Sequence, residues 1–216
     1  MGWQDDRRRE IQAIMKARVI DTVYHITQIE NLASIMEYGI QPRARLDEHG
    51  VPYLFTDSWR NDGELGATSV TIGTWASYMI ESKRRTMPGA RWAVLAIDAS
   101  ILWDMPCRFC RTNAAGNEVL HANARLLERS DALEAMFEDA PPYGRPFEGP
   151  SWRKHMGLSP TIPTRHDAEV LVFGGVDPIM IHGVAVEKEW HVPMVQEALR
   201  YREGAALDIE VVDNLT

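Results

Sequence analysis

The feature that most constrains this 216-residue chain is a short apolar run that passes directly into a helix whose two ends are both marked. Val19 to Ile26 contains Val23 and Tyr24 and suits a buried strand. Thr27 and Glu30 follow at the spacing of a capping box, in which the hydroxyl and the carboxylate each satisfy one orphan backbone donor. Ile29, Leu32, Ile35 and Met36 then fall on one helical face, and Gly39 stands where a left-handed residue closes a helix. The chain must therefore place a strand, a tight turn and a helix in immediate succession.

The remaining pattern is mixed. Asp5 to Arg18 places Ile11, Ile14 and Met15 at helical spacing among charges and predicts an amphipathic helix. Pro52 to Thr56 and Ala67 to Ile72 read as short strands, and Trp75 to Lys83 as a helix. Arg91 to Ile97 is apolar on both faces, which predicts a central strand, and Met105 to Arg111 reads as another. Glu118 to Leu127 and Ser130 to Phe137 read as helices, the second opening on Ser130 and Asp131. Residues 140–166 hold six of the twelve prolines with Gly144, Gly149 and Gly157, which predicts a long loop of the kind that tends to carry function. Ala168 to Phe173 is a strand stopped by Gly174 and Gly175, and Ile181 to Val186 is another. Pro193 to Tyr201 reads as the last helix and Leu207 to Val212 as the last strand. This order predicts an α+β fold rather than a doubly wound parallel sheet, in one domain spanning residues 1–216.

Composition narrows the chemistry. The formal charge of −8 argues against bulk, histone-like DNA binding, but it is unevenly spread. Residues 83–125 hold 7 Lys and Arg against 3 Asp and Glu, while both flanking segments are acidic. Lys83, Arg84, Arg85, Arg91, Arg108, Arg111 and Arg125 are candidates for phosphate contact or a solvated face. The charged start, MGWQDDRRREIQ, lacks a signal-peptide core, and no run approaches 18 apolar residues, so a soluble cytoplasmic protein with no membrane span is expected. Cys107 and Cys110 are the only cysteines; with no second pair and an apolar setting, they read as structural rather than as a zinc or redox site, and no metal is expected.

Phosphate-binding glycine loops, a Gly-x-Ser-x-Gly elbow and an HExxH helix are all missing, which removes kinase, Rossmann, serine-hydrolase and zincin readings. His25 ends the first apolar run, where it serves either as a satisfied core group or as a site residue. Glu169 is the second residue of Ala168–Phe173, and a carboxylate entering an apolar strand needs a partner or a purpose. Alternation puts it with Leu171 and Phe173, either lining a cleft or at an exposed edge. Arg111 to Glu118 offers small and amide residues, suited to close backbone approach to a ligand or to an ordinary turn.

Four of these segments together resemble the DarT DNA ADP-ribosyltransferase toxins of bacterial toxin–antitoxin pairs. They are Val23–Thr27 with Ile29–Leu32 and Ile35, Pro52–Phe55, Phe109–Ala115, and Ala168–Val172 with Val176–Pro178 and Ile181, in the family's order over residues 23–186. The resemblance implies a split β-sheet with a cleft for NAD+ as co-substrate. It implies that His25, Ile26 and Thr27 hold the nicotinamide amide through backbone groups, with Asn31 and Ser34 near the rest of the dinucleotide. Glu169 would be the catalytic glutamate, and Asn113–Ala115 and the proline-rich loop would face the nucleic acid. In thymidine-modifying relatives a longer insertion before Tyr53 carries an arginine that handles the acceptor base; here only Gln41–Val51 is present, with Arg43 and Arg45.

The chemistry this implies is cleavage of nicotinamide from ribose with oxocarbenium character, which a carboxylate near the 2′-hydroxyl stabilises. Tyr53 is a candidate to stack on nicotinamide and Trp59 or Trp75 on a base; Arg84, Arg85, Arg111 and Asn113 are candidate contacts to single-stranded DNA. Single-stranded DNA is the expected acceptor because a duplex base must first be flipped. An RNA-directed transferase, an RNA 2′-phosphotransferase-like enzyme and an inactive NAD- or partner-binding module are the alternatives. The family also implies phage defence and a macrodomain ADP-ribosylglycohydrolase antitoxin as partner.

Overall fold

The computed structural model describes residues 2–55, 61–75, 77–204 and 206–215. Seven strands form one mixed sheet: β1 (Thr22–Gln28), β2 (Ala67–Ile72), β3 (Trp92–Asp98), β4 (Cys107–Cys110), β5 (Glu169–Phe173), β6 (Ile181–Val186) and β7 (Asp208–Val211). Their order across the sheet is β4-β5-β2-β1-β3-β6-β7, antiparallel throughout except for β6 with β7. The α+β expectation holds: the sheet is antiparallel except at its β7 edge, where the chain crosses from β6 to β7 through α10 (Val192–Ala198).

Helices α1 (Trp3–Arg18), α2 (Leu32–Tyr38), α3 (Arg43–His49) and α4 (Ser77–Thr86) precede β3. The short α5 (Ile101–Asp104), α6 (Asn117–Leu120), α7 (Ala124–Leu127), α8 (Ser130–Ala135) and α9 (Trp152–His155) follow, and α10 (Val192–Ala198) lies between β6 and β7. Strand alternation sends Val23, Leu95, Ile97, Val170, Val172 and Val184 into the main core with Ile11 and Met15 of α1 and Leu32, Ile35 and Met36 of α2. The intervening positions Tyr24, Ile26, Trp92 and Val94 pack on the other face with Ile80 of α4.

The capping box does not form. β1 continues through Thr27 and Gln28 because its ladder with β3 runs on to Gln28 opposite Trp92. A 3₁₀ turn, Ile29–Asn31, then leads into α2 with no side-chain cap. Glu30 instead accepts from Arg91 Nε and Nη2 at 2.9 and 2.6 Å. Tertiary pairing has overridden the local cap signal. Gly39 does take a positive φ, +82°, and a Cβ there would lie 2.1 Å from the Val176 carbonyl, where Ile40 and Val176 form a bridge.

Pro52 to Phe55 is not a strand: it has no ladder partner and is tied down by side chains, while Thr56 and Trp59 lie outside the described residues. The predicted helix Glu118–Leu127 is two helices, α6 and α7, because Asn123 turns the chain and caps α7 by accepting from the Arg125 N–H at 3.0 Å. The proline-rich segment 140–166 folds around one guanidinium. Arg153 donates to Thr164 Oγ1 and to the carbonyls of Ser159 and Ile162, each at 2.7 Å.

Four of the cations of residues 83–125 meet acids in the fold. Arg84 pairs with Glu187 at 3.0 Å, Arg91 with Glu30, Arg108 with Glu64 and Glu128, and Arg111 with Glu118 and Glu138 at 3.2 and 3.4 Å.

Candidate active site

The sheet opens between β1 and β2. Along its β3 edge β1 is paired at all seven residues, but toward β2 only Val23–Ile72 and Tyr24–Thr71 are in register. From His25 onward the strands part, because Ala67–Val70 of β2 is paired on its other side with Val170–Phe173 of β5 and travels with that strand. Main-chain donors and acceptors that a continuous ladder would consume are thereby left facing a cleft.

His25, Ile26 and Thr27 form one wall of that cleft and Ala67, Thr68 and Ser69 the other. His25 Nδ1 lies 2.9 Å from the Ser69 carbonyl, so the ring donates through Nδ1–H and ties the two walls together at the point of separation. Glu169 lies at the base. It is 7% exposed, accepts from the Ser69 hydroxyl through Oε2 and from the Ala114 N–H through Oε1, and sits opposite Cys110 of β4. Burial, with the Glu169 charge adding to it, pushes the Cys110 thiol up to about 12.

The third wall is built by amides. Asn31 accepts from the Leu54 N–H at 2.8 Å and donates to the Leu54 carbonyl at 2.7 Å and to Thr27 Oγ1 at 3.0 Å. Gln28, almost fully buried, donates to the Phe55 carbonyl at 3.2 Å. These side chains replace the ladder that Pro52–Phe55 lacks and set Tyr53, Leu54 and Phe55 against the cleft. Tyr53 donates to Asp47 of α3 at 3.1 Å, and burial together with that bond raises its pKa.

Of the residues expected from the sequence, His25, Ile26, Thr27, Asn31, Ser34, Tyr53, Arg43 and Glu169 all line this one cleft. Arg43, at the start of α3, places its guanidinium 5.3 Å from the Phe55 ring centre. Arg45 is exposed on α3 and does not line the cleft, and Asn31 acts by holding Leu54. Arg84 and Arg85 end α4 away from it. Arg111 faces a second depression with Glu118, Glu138 and Arg165. Asn113 accepts from the Ala115 N–H at 3.0 Å in the loop beside Glu169, and Ala114, 2% exposed, donates its N–H to the carboxylate. Trp75 donates to the Leu215 carbonyl at 2.9 Å and meets Tyr24 edge-on at 5.6 Å, which makes it a packing residue.

Sequence reasoning missed Ser69 and the Ala114 N–H as donors to Glu169, because only the pairing of β2 and β4 with β5 brings them there. It also missed Gln41, which lines the cleft and packs its side-chain amide against Gly175. Exposed strand backbone along one wall and a buried carboxylate at the base fit a polar ligand on which positive charge develops. Cys107 and Cys110, three apart on a strand, point to opposite faces and join different clusters. Among the described residues no group of three or more His, Cys, Asp and Glu is placed to hold a metal ion, and no helix is long and apolar enough to cross a membrane.

A family profile described as "DarT: ssDNA thymidine ADP-ribosyltransferase, DarT" matches residues 67–215. No curated protein matches the chain. Among solved structures, Thermus sp. 2.9 DarT in complex with NAD+ superposes with a TM-score of 0.56 at 16% identity, covering 90% of this chain and 96% of that one. The same Thermus protein in complex with ADP-ribosylated ssDNA gives 0.51 at 16% identity, covering 90% and 95%. Thermosipho africanus DarTG in complex with ADP-ribose gives 0.53 at 14% identity over 88% of this chain; the present chain spans half the length of that protein.

Proposed function

The chain belongs to the DarT family, and from that premise we propose that its cleft binds NAD+ and that its 216 residues act as one domain transferring ADP-ribose to a thymine of single-stranded DNA. The observation that carries this reading is Glu169 at the base of the split between β1 and β2, with both carboxylate oxygens held by donors from neighbouring elements. The profile match begins at β2, so the β1 wall is supported by geometry alone.

In this reading, main-chain groups of His25–Thr27 meet the nicotinamide amide and Tyr53 covers its ring. As the nicotinamide–ribose bond breaks, positive charge grows on the anomeric carbon, and the fixed Glu169 carboxylate beside the 2′-hydroxyl stabilises that charge more than it stabilises bound NAD+. Ser69 and Ala114 keep the carboxylate from turning toward solvent. Arg43, at the mouth, is placed to handle the acceptor base, and no step calls on a metal. The Thermus DarT named above is seen in complex with NAD+ and with ADP-ribosylated ssDNA, which supports this choice of donor and acceptor. Cytoplasmic action as the toxin of a pair, with a hydrolase partner that removes the modification, completes the proposal.

The test is incubation of the protein with labelled NAD+ and short ssDNA, dsDNA and RNA oligonucleotides of single-base content, read by mass shift. Label confined to thymine-containing ssDNA is expected. Transfer to RNA favours the RNA-directed alternative, and binding of NAD+ without transfer to any acceptor overturns the enzymatic reading.

A further inference from the structure

Asp167, two residues before Glu169, sits in the turn leading into β5 and does not line the cleft. Its Oδ2 accepts from Thr112 Oγ1 at 2.7 Å, and Arg165 donates to its two oxygens through Nε and Nη2 at 3.1 Å each. Arg165 Nη2 also donates to Thr112 Oγ1 at 2.6 Å, so the hydroxyl is fixed by a donor and an acceptor at once. Thr112 is buried, and the Arg165 and Asp167 side chains are only 10% and 17% exposed. Burial pushes the Asp167 carboxyl up, but the bonds from Arg165 and Thr112, the Arg165 charge and the Asn113 N–H outweigh it and hold the group below its usual pKa.

Thr112 and Asn113 directly precede Ala114, whose N–H donates to Glu169 Oε1. The direction of a backbone N–H is set by the dihedral angles of the residues before it, so fixing Thr112 and Asn113 fixes where the Ala114 N–H points. We propose that Thr112, Arg165 and Asp167 are positioning residues, a clamp that aims the Ala114 N–H at Glu169 and so holds the catalytic carboxylate in its productive orientation. The proposal rests on the assignment of Glu169 above. Without the clamp the Ala114 N–H loses its aim at Oε1, and the carboxylate rotates more freely away from the developing charge. Such a loss falls on the transition state and spares the bound dinucleotide.

Nicotinamide release and transfer to ssDNA are measured for the wild type, Glu169→Gln, Thr112→Val, Thr112→Ser and Asp167→Asn, each on folded protein. Thr112→Val and Asp167→Asn are expected to lower kcat by about 10- to 100-fold, the worth of one charge-assisted hydrogen bond, with KM for NAD+ within about threefold. Thr112→Ser restores the hydroxyl and is expected to recover kcat to within about threefold of wild type. If Thr112→Val fails to fold, the contrast between Thr112→Ser and Asp167→Asn carries the same reading. Wild-type kcat in Thr112→Val and Asp167→Asn, a loss confined to KM, or a Thr112→Ser as impaired as its valine counterpart overturns the clamp. A wild type that releases no nicotinamide instead refutes the Glu169 assignment. Wild-type turnover in the clamp variants, with turnover lost in Glu169→Gln, refutes the clamp alone.

Discussion

The two edges of β1 are made from the same seven residues and do opposite work. Toward β3 every residue is paired, and most of the facing side chains, such as Leu95 opposite His25, are buried. Toward β2 two pairs form and the strands then part around a cleft floored by Glu169. The difference lies in the partner: β3 stays in register with β1 along its whole length while also pairing with β6, whereas β2 follows β5 along Ala67–Val70 and leaves β1 beyond Tyr24. A sheet can thus expose strand backbone for chemistry on one edge because the opposite edge holds the strand in place.

Removing the charge at the open edge should have the largest effect. Glu169→Gln keeps shape and is expected to lower single-turnover transfer by roughly 100- to 1,000-fold, about 3 to 4 kcal/mol of transition-state stabilisation, with NAD+ affinity changed only a few-fold. Wild-type transfer in the glutamine variant, measured beside its NAD+ affinity, would sink the assignment.

Damage to the closed edge should do the reverse. Leu95→Ala empties a fully buried site and is expected to cost about 3 kcal/mol of stability in denaturant unfolding, while turnover per folded molecule stays near wild type. Equal losses of stability and turnover would mean that the two edges are not separable.

Asn31 joins the edges to the third wall. Asn31→Ala removes its bonds to Leu54 and Thr27, which should cost about 1 to 2 kcal/mol, raise KM for NAD+ and speed chymotryptic cleavage near Tyr53 and Phe55. A raised KM with unchanged proteolysis would instead put Asn31 in direct contact with the dinucleotide.

The smallest effect is expected at the cysteines. Burial raises both thiols to about 12 from an ordinary 9.0, so their contribution to stability is complete below pH 9 and is lost as pH rises toward 12. Iodoacetamide at pH 8 should leave both unmodified until the protein unfolds, and replacing both by serine should leave transfer unchanged. Rapid native-state alkylation of Cys110 would show that the floor beneath Glu169 opens.

What the sequence determined is what local periodicity encodes. Ala67–Ile72 and Ile181–Val186 are strands with the bounds that alternation and burial predict, and α1 follows its apolar spacing. Glu169 stood out because a carboxylate in an apolar strand is costly wherever that strand lies. Tertiary structure alone decided the rest. Thr27 and Glu30 carry the spacing of a cap, yet the β3 ladder took Thr27 and Arg91 took Glu30. Pro52–Phe55 has strand composition but found the amides of Gln28 and Asn31 where a strand would have been. Ser69, Ala114 and the Arg165–Asp167–Thr112 cluster reach Glu169 across separations that no spacing rule spans. The physical reason is that periodicity records which face of a segment is buried, whereas a hydrogen-bond partner depends on the register of strands distant in the chain.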